Sequence, residues 1–255
     1  SDMGAPMAAN IVDKNTLVVF DKAGTAARAP AGTTIVDSLA DVARSADSLF
    51  LSVPDGPVSI SVIQELAGLE DRRAKVVVDL STTGPEAAAE AAAIAAGAGM
   101  TYIDAPVSGG QMGAKAGTIT IMWAGPASEL ERHREILASF SKNVFHVGDK
   151  AGQGQALKVL NNFLSGTAMA ATSEAILFGL SQGLDMQVML DVINVSTGQN
   201  TATRDKFSQR ILSETYDAGF RTELEAKDVR LYLEALEKSG TPGRVSRLIS
   251  DLWNE

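Results

Sequence analysis

Residues Gly152-Gln153-Gly154-Gln155-Ala156-Leu157-Lys158-Val159-Leu160-Asn161-Asn162 divide this chain into two kinds of pattern. Before them, short runs of β-branched and large apolar residues at 17–20, 48–53, 76–80 and 101–104 alternate with helical segments at 36–46, 57–66 and 85–96. That alternation is the βαβ pattern, and it predicts an α/β fold with a doubly wound parallel sheet. A strand at 119–124, a helix at 129–139 and a strand at 143–147 close the sheet, and the alanine tract at 87–96 predicts a helix lying close on it. After Gly152 the strand pattern stops. Residues 152–182 read as one long apolar helix, followed by helices near 185–195, 202–212, 224–239 and 243–254. Two domains are therefore expected, an α/β domain at 1–150 and an all-helical domain at 151–255.

The dividing stretch also carries chemistry. Two glycines open the long helix, and side chains four residues apart on a helix are neighbours, about 5–6 Å between Cβ atoms. Lys158 and Asn162 thus share a face and reach into one small cavity. Ala156, Leu157, Val159, Leu160, Phe163 and Leu164 around them predict a helix buried on most sides, which argues against a lysine merely snorkelling to solvent. An ammonium beside an amide suits the handling of a carbonyl or alkoxide oxygen.

Bulk properties narrow the field. The net charge of −9 speaks against a nucleic-acid partner or an anionic membrane surface, both of which call for clustered Lys and Arg. Cysteine is absent, so disulfides and thiolate metal sites are excluded and a cytoplasmic location is expected. The two histidines, His133 and His146, are too few for a zinc site, so no metal is expected. His133, inside Glu-Leu-Glu-Arg-His-Arg-Glu at 129–135, is predicted on the solvated face of a helix. No uninterrupted apolar run approaches the ~18 residues of a membrane span, and the start does not read as a signal peptide.

The first ten residues, from Ser1 to Asn10, read as the tail of a Rossmann dinucleotide turn, with Gly4 as the last glycine of G-x-G-x-x-G and Met3 beside it. Asp21, just after the strand at 17–20, stands where an acid accepts hydrogen bonds from the adenosine ribose. A carboxylate there repels a 2′-phosphate, so NAD is favoured over NADP. The strand that should precede the turn is missing, and residues before Ser1 are expected to supply it; the stop at Glu255 inside a helix raises the same expectation. In Asp104-Ala105-Pro106-Val107-Ser108-Gly109-Gly110, a strand ends in two glycines whose amides can approach a small anion, and Ser108 adds a hydroxyl donor. Such a nest suits a substrate carboxylate.

Four blocks, Met3-Gly4-Ala5-Pro6-Met7, Asp104 to Gly110, Gly152 to Asn162, and Lys227-Asp228, together resemble the β-hydroxyacid dehydrogenases of the 3-hydroxyisobutyrate dehydrogenase type, which include tartronate semialdehyde reductases. The resemblance covers essentially the whole chain. It implies an NAD-dependent oxidoreductase that interconverts a small 3-hydroxy acid and its semialdehyde, with Lys158 catalytic. It implies further that Ser108, Gly109, Gly110 and Asn162 hold the substrate carboxylate and its neighbouring hydroxyl. Val53, Pro54 and Thr82 would line the nicotinamide side, and Lys227 would reach the cofactor from the helical domain. Ser1 departs from the family, standing where its second glycine belongs.

Lys158 has both forms the reaction needs: an ammonium donates to an alkoxide in reduction, and an amine takes the hydroxyl proton in oxidation. A free lysine near pKa ~10.4 is a poor base at neutral pH, so burial and the Lys227 cation are expected to lower it. Tartronate semialdehyde (2-hydroxy-3-oxopropionate) reductase is the alternative activity within the family. A decarboxylating 6-phosphogluconate dehydrogenase would need a larger helical domain and a cation cluster for phosphate, and imine reductases commonly lack lysine at the catalytic position. A non-catalytic scaffold would have no use for Lys158, Asn162 and Ser108 together. The apolar circumference of the long helix predicts a homodimer or homotetramer. Gln111-Met112 and the segment 198–200 are candidates for contacts around the β-carbon.

Overall fold

The computed structural model describes residues 3–255, so the expectation placed on Ser1 lies outside the described residues. The chain forms two compact units, the first ending at Lys158 and the second running Val159–Glu255.

In the first unit, α1 (Gly4–Val12) precedes a small parallel pair, β1 (Val18–Val19) and β2 (Thr34–Ile35). Then come α2 (Leu39–Ser45), β3 (Ser48–Leu51), α3 (Gly56–Ala67), β4 (Val76–Asp79), α4 (Pro85–Gly97), β5 (Thr101–Asp104), β6 (Val107–Ser108), α5 (Gly110–Ala116), β7 (Ile119–Ala124), α6 (Ala127–Phe140) and β8 (Ser141–Gly148). The main sheet runs β3-β4-β5-β7-β6, with β8 also pairing β7. Pairing is parallel from β3 to β5 and again between β7 and β8; the contacts of β7 with β5 and β6 are antiparallel.

Sequence alternation explains why helices cover both faces of this sheet. Side chains along a strand point to opposite sides in turn. Val76, Val78, Ile103 and Phe50 enter one core with Trp123, Leu137 and Phe140, whereas Val77, Tyr102, Leu49 and Leu51 enter the other with Ile63, Leu66 and the alanines of α4. Ala88, Ala91 and Ala95 are fully buried, as the alanine tract predicted. The helices start where side chains can cap them: Ser38 accepts from the Asp41 amide at α2, and Asp55 from the Val58 amide at α3.

One sequence expectation fails outright. His133 is 3% exposed and not on a solvated face. Its Nδ1 bonds the Glu129 carbonyl at 2.7 Å and its Nε2 bonds Ser48 Oγ at 2.8 Å, while the ring lies against Phe50 and Trp123. The charged neighbours in sequence point outward, but a helix turns residue 133 back onto the sheet.

The long helix α7 (Gln153–Ser181) begins in the first unit and continues into the second. A Cβ on Gly154 would stand 2.7 Å from the Met122 carbonyl and 2.8 Å from that of Asp104, so only glycine lets the helix come this close to the sheet. By length and composition α7 is apolar enough to cross a membrane. Gln155, Lys158, Asn162 and Thr172 on it are buried, whereas Gln153, Asn161, Glu174 and Ser181 are exposed, and 22% of its most apolar stretch is buried.

In the second unit α7 meets α8 (Met186–Ile193), a π-helix (Ala202–Ile211), α9 (Thr222–Lys238) and α10 (Arg244–Asn254). Ile176, Met189, Leu190, Ala202 and Phe207 form one core; Phe163, Val229 and Ile249 form another. A Cβ at Gly166 would press on Glu225 Oε1 and Trp253 Nε1, at 2.8 and 3.1 Å. The small residue therefore sets how closely α9 and α10 approach α7.

Candidate active site

Ligands of open α/β sheets bind beyond the carboxyl ends of the strands, and the predicted site residues of the first unit lie there. Val53 and Pro54 follow β3, Thr82 follows β4, and Ser108, Gly109 and Gly110 lie on β6 and just after it. These loops are tied together by a buried network that the motifs did not announce. Val53 N donates to Ser81 Oγ at 2.8 Å. Gln155, fully buried on the first turn of α7, accepts from the amides of Thr83 and Gly84 at 2.9 and 3.2 Å. Its amide donates to the Ser81 carbonyl at 2.9 Å and to Asp104 Oδ1 at 2.8 Å.

Asp104 anchors the other side. Its Oδ2 accepts from the backbone of Gly152 at 2.8 Å and of Gln155 at 3.1 Å. Burial pushes this carboxyl up to about 6, and the hydrogen bonds from Gln155 and Gly152 offset part of that rise. Because the folded value lies above the ordinary 3.8, the folded state holds the proton longer than the unfolded chain does. This group's contribution to stability is complete below pH ~3.8 and is lost as pH rises through about 6, on the order of 3 kcal/mol. One strand over, Asp79 pairs in register with Asp104 and accepts from Ser59 Oγ and from the Tyr102 hydroxyl. Burial, then the charges of Asp79 and Asp104, push the Tyr102 phenol far up. The signal for both acids was present in sequence: each closes a strand of β-branched and aromatic residues.

The same network fixes the start of α7 and hence Lys158, one turn after Gln155 and 7% exposed. Gly109 and Gly110 adopt φ of +127° and +60°, and no atom lies within 4 Å of where a Cβ on Gly110 would stand. The backbone is thus open to an approaching group next to the half-buried Ser108.

At the other flank of this unit, β1 and β3 belong to different sheets, and the gap between them is lined largely by apolar side chains, Ile11, Leu17, Leu49 and Phe50 among them. Gly4, Val18, Asp21, Leu51 and His133 line it. Gly4 opens α1, whose N-cap residue, Met3, makes no side-chain cap and whose first turn has no acid, an arrangement suited to an anionic diphosphate. Arg28 Nη1 binds both carboxylate oxygens of Asp21 at 3.1 Å. Burial acts to raise the Asp21 carboxyl, but the Ala23 amide and Arg28 help hold it below its usual range. Of these residues, Gly4 at the start of α1 and Asp21 after β1 have the chemistry that fits a dinucleotide.

In the second unit, Asn162 is 6% exposed and donates from Nδ2 to Asp228 Oδ2 at 2.6 Å. Lys227 Nζ lies 3.1 Å from Asp228 Oδ1. The Lys227-Asp228 motif therefore acts on Asn162 through its acid. Asn200 is taken up by structure: its Oδ1 accepts from the amides of Ala202 and Thr203 and its Nδ2 donates to Thr172 Oγ1. Among the described residues no group of three His, Asp or Glu is arranged to hold a metal ion.

Comparison with known proteins gives this geometry a lineage. Residues 1–148 match the NAD binding domain of 6-phosphogluconate dehydrogenase, and residues 152–255 match the family described as NAD-binding of NADP-dependent 3-hydroxyisobutyrate dehydrogenase. The chain is 35% identical over 256 residues to 2-(hydroxymethyl)glutarate dehydrogenase of Eubacterium barkeri, covering 98% of this chain and 85% of that protein. It is 36% identical over 265 residues to 3-hydroxyisobutyrate dehydrogenase of Pseudomonas aeruginosa, covering 98% and 89%. The structure of Mycobacterium tuberculosis 3-hydroxyisobutyrate dehydrogenase with L-serine superposes with a TM-score of 0.89 at 30% identity, covering 100% of this chain and 90% of that one. The chain belongs to the β-hydroxyacid dehydrogenase family and is an NAD-dependent oxidoreductase of small hydroxy acids.

Proposed function

We propose that the protein interconverts a small 3-hydroxy acid and its semialdehyde, with Lys158 as general acid and base. The observation that carries this reading is a buried lysine four residues before a buried amide that is itself held by Asp228. A nicotinamide bound by the first unit would supply the acceptor for the hydride of the hydroxyl-bearing carbon. Lys158 as amine takes the hydroxyl proton during oxidation, and as ammonium returns it during reduction. Asn162, its orientation fixed by Asp228, hydrogen-bonds the substrate, and Ser108 with the Gly109 and Gly110 amides receives the carboxylate. Residues 1–150, through Met3, Gly4, Asp21, Val53, Pro54 and Thr82, serve the dinucleotide, which Lys227 reaches from the helical domain; residues 151–255 serve substrate and assembly. A panel containing 3-hydroxyisobutyrate, 2-(hydroxymethyl)glutarate, L-serine and tartronate semialdehyde, assayed with both cofactors, tests the reading. Turnover of at least one 3-hydroxy acid is expected, and turnover of none contradicts it.

Asp21 favours NAD over NADP, because its carboxylate binds ribose hydroxyls and repels a 2′-phosphate. Asp21→Ala removes that repulsion and releases Arg28 toward the phosphate. The ratio of kcat/KM for NAD over NADP should fall roughly tenfold or more, the scale of one charge-assisted hydrogen bond. An unchanged ratio would count against the assignment.

The active form is a homodimer or homotetramer in the cytoplasm. Leu164, Leu177, Phe178 and Leu180 on α7, with Val188 and Val192 on α8, are exposed, a larger apolar surface than a lone chain ordinarily shows. Sedimentation should give an oligomer at micromolar concentration, and a monomer refutes this; recovery of the native protein in a membrane or secreted fraction refutes the location.

A further inference from the structure

The second unit places another cation on the stripe of α7 that carries Asn162. Lys206 Nζ donates to Ser165 Oγ at 3.1 Å. Ser165 lies three residues after Asn162, and residues three apart on a helix are adjacent, about 5–6 Å between Cβ atoms. Lys206 is half-buried, and among the described residues no carboxylate forms an ion pair with it. A half-buried ammonium bonded to a hydroxyl keeps donors for an anion.

The backbone that delivers Lys206 is unusual. The segment Ala202–Ile211 is a π-helix, a form that is rare beyond a single turn and frequent at functional sites. Its wide turns are held by side chains. Asn200 accepts from the amides of Ala202 and Thr203 at 2.8 and 3.1 Å, and Ser208 Oγ and Asn194 Nδ2 both donate to the Thr203 carbonyl. Asn200 also donates to Thr172 on α7, so the π-helix is pinned to α7 at Thr172 and again at Ser165. It runs antiparallel to α7, carrying Lys206 back toward the Asn162 end.

We infer that Lys206 binds a second carboxylate at the far end of the substrate, so that the enzyme takes 3-hydroxy acids bearing a distal acid group. This rests on the proposed reading, in which Asn162 binds the substrate beside its first carboxylate and hydroxyl. One helical turn then separates that contact from the Ser165–Lys206 pair, a span a chain of two or three methylenes covers. No covalent step is involved; the ammonium and the Ser165 hydroxyl donate to carboxylate oxygens.

Two substrates that differ at that end provide the test, 2-(hydroxymethyl)glutarate and 2-(hydroxymethyl)pentanoate, the second lacking the distal acid. In the unaltered enzyme kcat/KM should favour the diacid by roughly tenfold or more. Lys206→Met should reduce that preference about 10–100-fold through KM, and Lys206→Arg should retain most of it. A wild-type ratio near one, or a Lys206→Met variant that loses both substrates equally, overturns the inference. If neither compound is turned over, the proposed activity fails separately, and calorimetry with glutarate against butyrate on the NAD-loaded protein decides the role of Lys206. Tighter binding of glutarate that is lost in Lys206→Met supports it; equal affinities overturn it.

Discussion

Replacing Lys158 with alanine is expected to lower kcat by about 10²–10⁴-fold, the usual contribution of a positioned acid or base. Alanine is the best helix former, so α7 stays intact and the loss falls on the chemistry and not on the fold. The hydrogen bonds among Asp104, Gly152 and Gln155 hold the helix start. Affinity for NAD, read by cofactor fluorescence, should therefore be nearly unchanged. Lys158→Arg should be comparably impaired in oxidation, since a guanidinium keeps its proton and cannot act as base. Activity of Lys158→Ala above about a tenth of wild type would remove the residue from the mechanism.

Gln155→Leu should weaken the first unit by about 3–5 kcal/mol. Leucine nearly conserves volume, so little cavity is created, but four hydrogen bonds disappear. Two amides, one carbonyl and one oxygen of a buried carboxylate lose their partner, at about 1–3 kcal/mol per unsatisfied group, with relaxation recovering part. Hydrogen exchange reads this at the sites concerned. Protection of the Thr83 and Gly84 amides should fall by about 10²–10³-fold or more, since 1.4 kcal/mol is tenfold. Unchanged protection would mean that the network is not what holds the loop after β4.

The sequence made the βαβ order and the long helix plain, because apolar period and length are local properties. β5 and β7 have the bounds read from the pattern, and the helices deviate only at their ends. The two-residue strands β2 and β6 and the short, glycine-bearing α5 carry too few residues for any period to register. The π-helix was read simply as a helix at 202–212, since its register is set by Asn194, Asn200 and Ser208 and not by apolar spacing. His133 was misplaced because its charged neighbours in sequence outweigh a contact with Ser48, 85 residues away.

The site divides in the same manner. Lys158, Asn162, Ser108 and Asp21 belong to motifs and were legible as such. Gln155 stands inside the most telling stretch of the chain yet passed unnoticed, because its partners lie 51 to 74 residues away in loops that only the folded sheet brings together. Lys206 had no motif at all. Its meaning comes from Ser165, 41 residues earlier, and from having no ion pair with a carboxylate among the described residues.

The most direct test of the account follows one atom. Wild-type enzyme, NAD and a 3-hydroxy acid deuterated at its hydroxymethyl carbon are incubated together, and the recovered cofactor is weighed by mass spectrometry. The account predicts one deuterium per reduced cofactor with the wild type and almost none with Lys158→Ala in the same time. Unlabelled cofactor from the wild type, or equal labelling from both proteins, would contradict it.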